Sequence, residues 1–316
     1  TTIGNDIDKA IRLLTQGGLV ALPTETVYGL AGNALNGSSV AKIFSVKQRP
    51  SFDPLIIHVP NYAALPQWVI SIPGKAEKLA EQFWPGPLTL LLPRKPIIPD
   101  LVTSGLDTVG VRCPNHPLAH KLLNSIPFPL AAPSANPFGY ISPTTPQHVH
   151  DQLGGKIPYI LDGGECNVGI ESTIVGFDED RVIVYRLGGL SVEKLQSVIG
   201  NVEIRLNTSS NPVAPGQLKS HYAPRKKLLV GNLDDLIAAH RSNVAVLSFK
   251  DKRESIPSNL QRVLSASGSL QEAAQNLFGM LRELDQTEAT IILAEPVPEI
   301  DLGRAINDRL KRAAAQ

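Results

Sequence analysis

Cysteine is nearly absent from this 316-residue chain; Cys113 and Cys166 are the only two. They make at most one disulfide and cannot build a zinc site by themselves, so a reduced compartment is the simplest expectation. Aromatic residues are scarce as well, at 5%, which speaks against a surface that stacks on unpaired bases. Neither sign of charge dominates: 30 Lys and Arg face 29 Asp and Glu, for a net charge of +1. Such a chain offers no global field for nucleic acid, and any phosphate contact must come from a local patch. No apolar run approaches the ~20 residues of a membrane span, and residues 1–6 lack the basic and apolar regions of a signal peptide. A cytoplasmic location without membrane attachment is expected. Catalytic signatures are missing too: no Gly-x-Ser-x-Gly elbow, no His-Glu-x-x-His, no Walker loop. An enzyme built without them works by positioning and electrostatic stabilisation rather than through a covalent intermediate.

What is present is ordinary in bulk and uneven in detail. Hydrophobic residues at 42% and charged residues at 19% fit a soluble globular protein, long enough for two cores. Twenty of the 26 prolines precede residue 200, so the first two-thirds is expected to hold interrupted strands and shaped loops. Residues 207–216 read as an irregular connection. From Ile204 to Leu233 no Asp or Glu occurs, while Arg205, Lys219, Arg225, Lys226 and Lys227 do, together with His221 and Tyr222. Such a segment is either a solvated linker or one that folds back over an anionic ligand. The expected division is a first domain at 1–204, a linker at 205–225 and a small domain at 226–316.

Periodicity predicts helices over 7–14, 36–47, 75–83, 117–123, 146–153 and 192–199. Strands are predicted at 19–23, 54–59, 88–92, 109–113, 130–133, 159–161, 172–177 and 182–187. Many strands among fewer helices give an α/β or α+β domain around a large twisted sheet. Beyond residue 226 the pattern alternates cleanly: strands at 227–230, 244–248, 262–265 and 290–293, helices at 233–240, 270–284 and 302–314. That is a small parallel βαβ unit whose first turn lacks the glycine fingerprint of a dinucleotide site.

Two clusters carry the chemistry. Ser45-Val46-Lys47-Gln48-Arg49-Pro50 offers a point charge and a flat fork of donors, a pairing suited to polyphosphate. Ala132-Pro133-Ser134-Ala135-Asn136-Pro137 adds two neutral hydrogen-bonding groups. Strand ends supply more candidates. Thr24, Thr26 and Gly29 stand at one; His58 ends another, where a satisfied core histidine is the plain alternative. Arg112 ends a third, and an Arg there needs an anion. Glu171-Ser172-Thr173 and Val184-Tyr185-Arg186 bring a further hydroxyl pair and cation. Residues 1–200 hold 15 Lys and Arg against 16 Asp and Glu. Convergence of Lys47, Arg49, Arg112 and Arg186 would therefore make a focused positive cleft fit for a small polyanion.

The order of these segments resembles the threonylcarbamoyl-AMP synthase family with the YrdC-like fold. The resemblance rests on Pro23-Thr24-Glu25-Thr26-Val27-Tyr28-Gly29-Leu30, Lys47-Gln48-Arg49-Pro50, Pro54-Leu55-Ile56-Ile57-His58, Trp84-Pro85-Gly86-Pro87-Leu88-Thr89 and Val109-Gly110-Val111-Arg112. It continues through Ala132-Pro133-Ser134-Ala135-Asn136, Ser142-Pro143-Thr144 and Glu171-Ser172-Thr173, and so spans about 5–200. Pro215-Gly216, His221-Tyr222-Ala223-Pro224 and the α/β tail are similar to the long, two-domain branch, with a Rossmann-like C-terminal domain. The resemblance implies a nucleotidyltransferase: L-threonine and bicarbonate form a carbamate that attacks the α-phosphate of ATP, with Mg²⁺ accompanying the triphosphate. The resulting adenylate would pass to a separate tRNA threonylcarbamoyl transferase, which modifies the adenosine beside the anticodon. Carried over residue by residue, Thr26, His58, Arg112 and Ser172 surround the threonine. Lys47, Arg49, Thr108, Ser134, Ser142 and Arg186 contact ATP, Asn136 completes the Lys-x-Arg and Ser-x-Asn set, and His221 and Tyr222 belong to a linker that closes the site. The family usually has Asn where this chain has Asp53, which puts a direct contact of Asp53 with ATP in question.

Two rivals are weighed against this. A carbamoyl-transfer module of the hydrogenase-maturation type needs cysteine-rich zinc segments that two cysteines cannot supply. A double-stranded RNA-binding module, with weak RNA binding as its residue, meets the near-zero charge and the scarcity of aromatics.

Overall fold

Caps and apolar stripes decide where the helices begin and stop. In Ile7–Thr15, Ile7, Ala10 and Leu14 are buried on one face, and Asp6 accepts the Lys9 N–H at the N-terminus. Asn36 does the same for Gly37–Lys47, accepting from Ser38 and Ser39. That helix stops at Lys47 because Gln48 is left-handed, φ 54°. The reversal lets the Arg49 N–H bond back to the Phe44 carbonyl. Lys47 and Arg49 thus flank a turn instead of lying along one helix face.

The computed structural model describes residues 1–179, 181–206, 214–217, 219–240 and 243–315; of the expected 205–225 linker, 207–213 and 218 lie outside the described residues. Eleven strands make the larger sheet: β1 (Thr2–Gly4), β2 (Val20–Leu22), β3 (Gly29–Asn33), β4 (Ile56–His58), β5 (Leu88–Pro93), β6 (Thr108–Arg112), β7 (Leu130–Ala131), β8 (Tyr159–Leu161), β9 (Thr173–Asp178), β10 (Arg181–Arg186) and β11 (Glu203–Ile204). Their order is β1-β8-β2-β3-β7-β4-β6-β5-β9-β10-β11. The sheet is mixed: β4 runs parallel to β6 and β5 to β9, while β5 opposes β6 and β9 opposes β10.

Register positions the chemistry. His58 lies beside Arg112, and Arg112 beside Thr89. Leu88, the neighbour of Thr89, pairs with Thr173, so Ser172 arrives at the same edge. Four polar side chains from four distant segments therefore meet at the ends of adjacent strands.

The second sheet comprises β12 (Lys227–Val230), β13 (Val244–Ser248), β14 (Gln261–Val263) and β15 (Ile291–Ala294), in the order β12-β15-β13-β14 and parallel throughout. Its helices Leu270–Asp285 and Gly303–Ala314 face the larger sheet. One apolar cluster runs from Leu55, Ile57 and Ile170 to Leu277, Phe278 and Leu310. The approach is closest at Gly169, where an added Cβ would stand 2.4 Å from the Gln275 Cα. A glycine is needed there for space and also for its φ of +78°. No helix among the described residues is long and apolar enough to cross a membrane.

The mixed large sheet and the parallel small one match the expected fold. Three strands were not expected: β1, β3 and β11. Gly29–Asn33 contains two glycines in five residues, a poor strand signal, and it becomes a strand because β2 and β7 pair on either side of it.

Candidate active site

One cavity of about 50 Å³ collects most of the candidates. It is lined by Arg49, His58, Arg112, Ser134, Glu171, Ser172, Arg186, His221 and Tyr222, with apolar walls from Val27, Leu55 and Ile56 and backbone from Pro215 and Gly216. Residues from β4, β6, the loop after β7, the start of β9, the end of β10 and the 214–222 segment thus share one space. Both sequence clusters reach it.

Lys47 lies directly behind the wall. Its ammonium donates to the carbonyls of Ser134 and Asn136, each at 2.6 Å. The Lys47 carbonyl in turn accepts the Phe138 N–H at 2.8 Å, so the helix end and the Ser134–Asn136 loop are laced together. Burial, then the Arg49 charge, pulls the Lys47 ammonium well below its ordinary range. Asn136 holds the turn by donating to Pro137 and Tyr140 carbonyls, while its own Oδ1, buried, accepts nothing.

Arg49 donates from Nε to the Asp53 carbonyl and from Nη2 to the Pro54 carbonyl, and its Nη2 pairs with the Asp53 carboxylate at 3.0 Å. Neither Asp53 oxygen accepts a well-directed hydrogen bond. Burial pushes the Asp53 carboxyl upward, against the pull of Arg49, Lys47 and Arg186. Asp53 is fully buried and does not line the cavity. The Asp53 carboxylate is turned to the guanidinium of Arg49.

Across the sheet edge, Arg112 pairs with Glu25 at 2.8 Å, and its Nε and Nη2 lack hydrogen-bond acceptors of good geometry. Glu25 also accepts the Asn115 N–H. His58 is buried beside Arg112, and desolvation first, then that charge, drives its pKa down to about 3. It is a neutral imidazole at physiological pH. Thr26 is buried next to Val27 and hydrogen-bonded to Thr24 at 2.9 Å. Ser172 bonds Thr89 at 2.8 Å and accepts from Arg186 Nη2 at 3.0 Å, while Arg186 Nε holds the Ser172 carbonyl.

Ser142 donates to one oxygen of Glu171, and the other oxygen accepts from Arg309 at 2.9 Å. His221 lies between the rings of Phe138 and Tyr222, at 5.8 and 4.1 Å between centroids. Burial, with Arg49, Lys47, Arg309 and Arg186 nearby, drives its pKa far down, so it too stays neutral. Tyr222 stacks on Phe278 and receives the Arg309 guanidinium on its ring at 4.9 Å.

Thr108 is not brought to this place. It opens β6, four residues from Arg112, and lines a separate depression with Leu91, Phe177 and Tyr185. The strand rises about 3.3 Å per residue, so the two ends of β6 stand roughly 13 Å apart. The expected positive cleft is also only half the story. The four cations converge, yet Asp53, Glu25 and Glu171 converge with them, and the charges of the protein at the site are nearly balanced.

Arg309 was missed from sequence. Its signal was present: in the final helix it stands three and four residues from Ile306 and Ala305 and four from Ala313, all buried. An arginine on the apolar stripe of an amphipathic helix demands a buried partner.

A family model described as "Telomere recombination" matches residues 12–188, and one described as "Threonylcarbamoyl-AMP synthase, C-terminal domain" matches residues 190–315. A threonylcarbamoyl-AMP synthase of Pyrococcus abyssi is 40% identical over 96% of this chain and 93% of its own length. The chain belongs to the threonylcarbamoyl-AMP synthase family. Another such synthase, from Bacillus subtilis, is 38% identical over 98% of this chain and 92% of its own. The crystal structure of P. abyssi Sua5 complexed with L-threonine superposes with a TM-score of 0.93 at 39% identity, covering 99% of this chain and 98% of that one. Family membership supports the synthase and not the RNA-binding rival. Among the described residues no group of three or more His, Cys, Asp or Glu side chains is placed to hold a metal ion.

Proposed function

We propose that this chain joins L-threonine, bicarbonate and ATP into threonylcarbamoyl-AMP with release of pyrophosphate, supplying a separate tRNA threonylcarbamoyl transferase in the cytoplasm. The observation that carries the reading is the meeting of Arg49 and Ser134 with Arg112 and Ser172 around one cavity. The Arg112 guanidinium pairs with Glu25 through Nη2 and keeps a buried Nε with no acceptor, a donor that suits the threonine carboxylate. Neutral His58 with Thr26 and Ser172 can bind the threonine polar groups without adding charge. The carbamate formed on the threonine nitrogen from bicarbonate, with loss of water, is the nucleophile, so no side chain is asked to be one. One oxygen of that carbamate forms a bond to the α-phosphorus as the bond from that phosphorus to the pyrophosphate oxygen breaks. Arg49 and Arg186 stabilise the charge that develops, with Lys47 holding the Ser134–Asn136 loop and Ser134, Ser142 and Asn136 the geometry. Mg²⁺ enters as part of the MgATP substrate. Asp53 serves by fixing Arg49, and Thr108 takes no direct part.

A cavity of about 50 Å³ is several-fold smaller than the ~300–1,000 Å³ of pockets that hold small-molecule ligands. MgATP therefore requires the 214–217 and 221–222 segments to move outward, and we assign these parts of the 205–225 linker, between domains at 1–204 and 226–316, that gating role. Closure afterwards keeps water from the mixed anhydride.

Pyrophosphate release measured with and without L-threonine and bicarbonate tests the reading. Release should need both. Arg49→Ala should lower kcat by about 10²–10³-fold, the cost of one preorganised donor. Arg112→Ala should act mainly on threonine, raising its KM by roughly 10- to 100-fold, as loss of charged hydrogen bonds predicts. Release that ignores threonine would sink the proposal.

A further inference from the structure

The second domain reaches the active site through two arginines: one ends on the Ile141 and Ser142 carbonyls, the other on Glu171, which accepts the Ser142 hydroxyl. Arg282, from the Leu270–Asp285 helix, donates to the Ile141 carbonyl and, at 3.3 Å, to the Ser142 carbonyl. Arg309 donates to Glu171 from Nε and to Asp308 from Nη1 at 3.0 Å. Its side chain is wholly buried. The helix that carries it is tied to the preceding loop, where Asn307 bonds both the N–H and the carbonyl of Val297, at 2.9 and 2.8 Å. Asp308 is itself fixed by Arg312.

Glu171 is the element that needs explaining. It is a buried carboxylate on the cavity wall, among cations that await a polyphosphate. A free anion there would repel the substrate. Arg309 neutralises one of its oxygens and leaves the other to accept the Ser142 hydroxyl, which sets that hydroxyl's direction. The same guanidinium lies over the Tyr222 ring, in the segment that shuts the cavity. One side chain from the tail thus touches both the wall and the gate.

We propose that Arg309 is a positioning residue of the synthase site, acting through Glu171 on Ser142 and hence on ATP. The inference rests on the synthase reading for its substrate and makes the C-terminal domain part of the nucleotide site. Removing Arg309 leaves a buried, uncompensated carboxylate facing the phosphates. Removing the charge of Glu171 at the same time should undo the damage, since a glutamine still accepts from Ser142 without needing a cation.

Steady-state pyrophosphate release by the full-length Arg309→Met protein should show KM for ATP raised on the order of tenfold, with KM for threonine little changed. The double variant Arg309→Met/Glu171→Gln should recover to within about threefold of the parent. If Arg309→Met does not fold, Arg309→Lys, which keeps the charge but loses the fork, is measured against Arg309→Lys/Glu171→Gln with the same criterion. An unchanged ATP KM in a folded variant, or a double variant no better than the single, overturns the proposal. Should the parent protein release no pyrophosphate, the synthase reading fails by itself. Calorimetric affinity for a non-hydrolysable ATP analogue across the same variants then decides the role of Arg309 alone.

Discussion

Lowering the pH from 7 to 5 should destabilise this protein through His58, and the size of the loss can be worked from its surroundings. His58 is buried beside Arg112, and its pKa is driven from 6.5 to about 3. In the unfolded chain the imidazole returns to about 6.5, so below that value the unfolded state binds a proton that the native state refuses. Stability is therefore lost as pH falls, across the window from about 6.5 to about 3. Each pH unit inside the window costs about 1.4 kcal/mol, and pH 5 lies about 1.5 units in, for a loss of about 2 kcal/mol. Asp53 works in the opposite direction, since burial raises its carboxyl, so the raw curve mixes both signs. The remedy is a difference: guanidinium unfolding of the parent and of His58→Gln at pH 7, 6 and 5. Asp53 titrates in both proteins and cancels; the His58 proton does not. The parent should lose about 2 kcal/mol more than the variant between pH 7 and 5. Equal losses would refute the neutral, buried imidazole.

Two further outcomes are expected. Gly169→Ala should cost about 2–4 kcal/mol, from a left-handed φ that alanine resists and a Cβ driven into the backbone around Gln275; the check is a thermal unfolding scan of the full chain. Both thiols should resist a disulfide reagent at pH 8 in the native state and react on unfolding, because burial pushes Cys113 up to about 12 and Cys166 higher still.

Local pattern carried the sequence reading a long way. The helices Pro146–Leu153 and Leu233–His240 and the strands Tyr159–Leu161 and Val244–Ser248 fall where periodicity and their flanking turn residues put them. Lys47, Arg49, Ser134 and Arg112 were legible as a set because unusual residue types sat at strand and helix ends, where a sheet displays its ligands. Two kinds of feature were not. Thr2–Gly4 and Glu203–Ile204 are too short to show a period and exist only through partners at Tyr159–Leu161 and Ile183–Val184. Pairings of cation with anion were hidden as well: that Arg49 turns to Asp53, Arg112 to Glu25 and Arg309 to Glu171 depends on depth in the fold. Charge counting along the chain sees the cations and misses the carboxylates buried with them.

The Arg309–Glu171 pair spans 138 residues of sequence, and that distance is also an interval of time. At synthesis rates of about 5–20 residues per second, roughly 7–28 s separate the two on the ribosome. Throughout that interval Glu171 must stay hydrated or find a temporary cation, so the wall of the cavity cannot close around it. The larger sheet can form while the chain is still growing, but the pocket it frames is finished only when the last helix arrives.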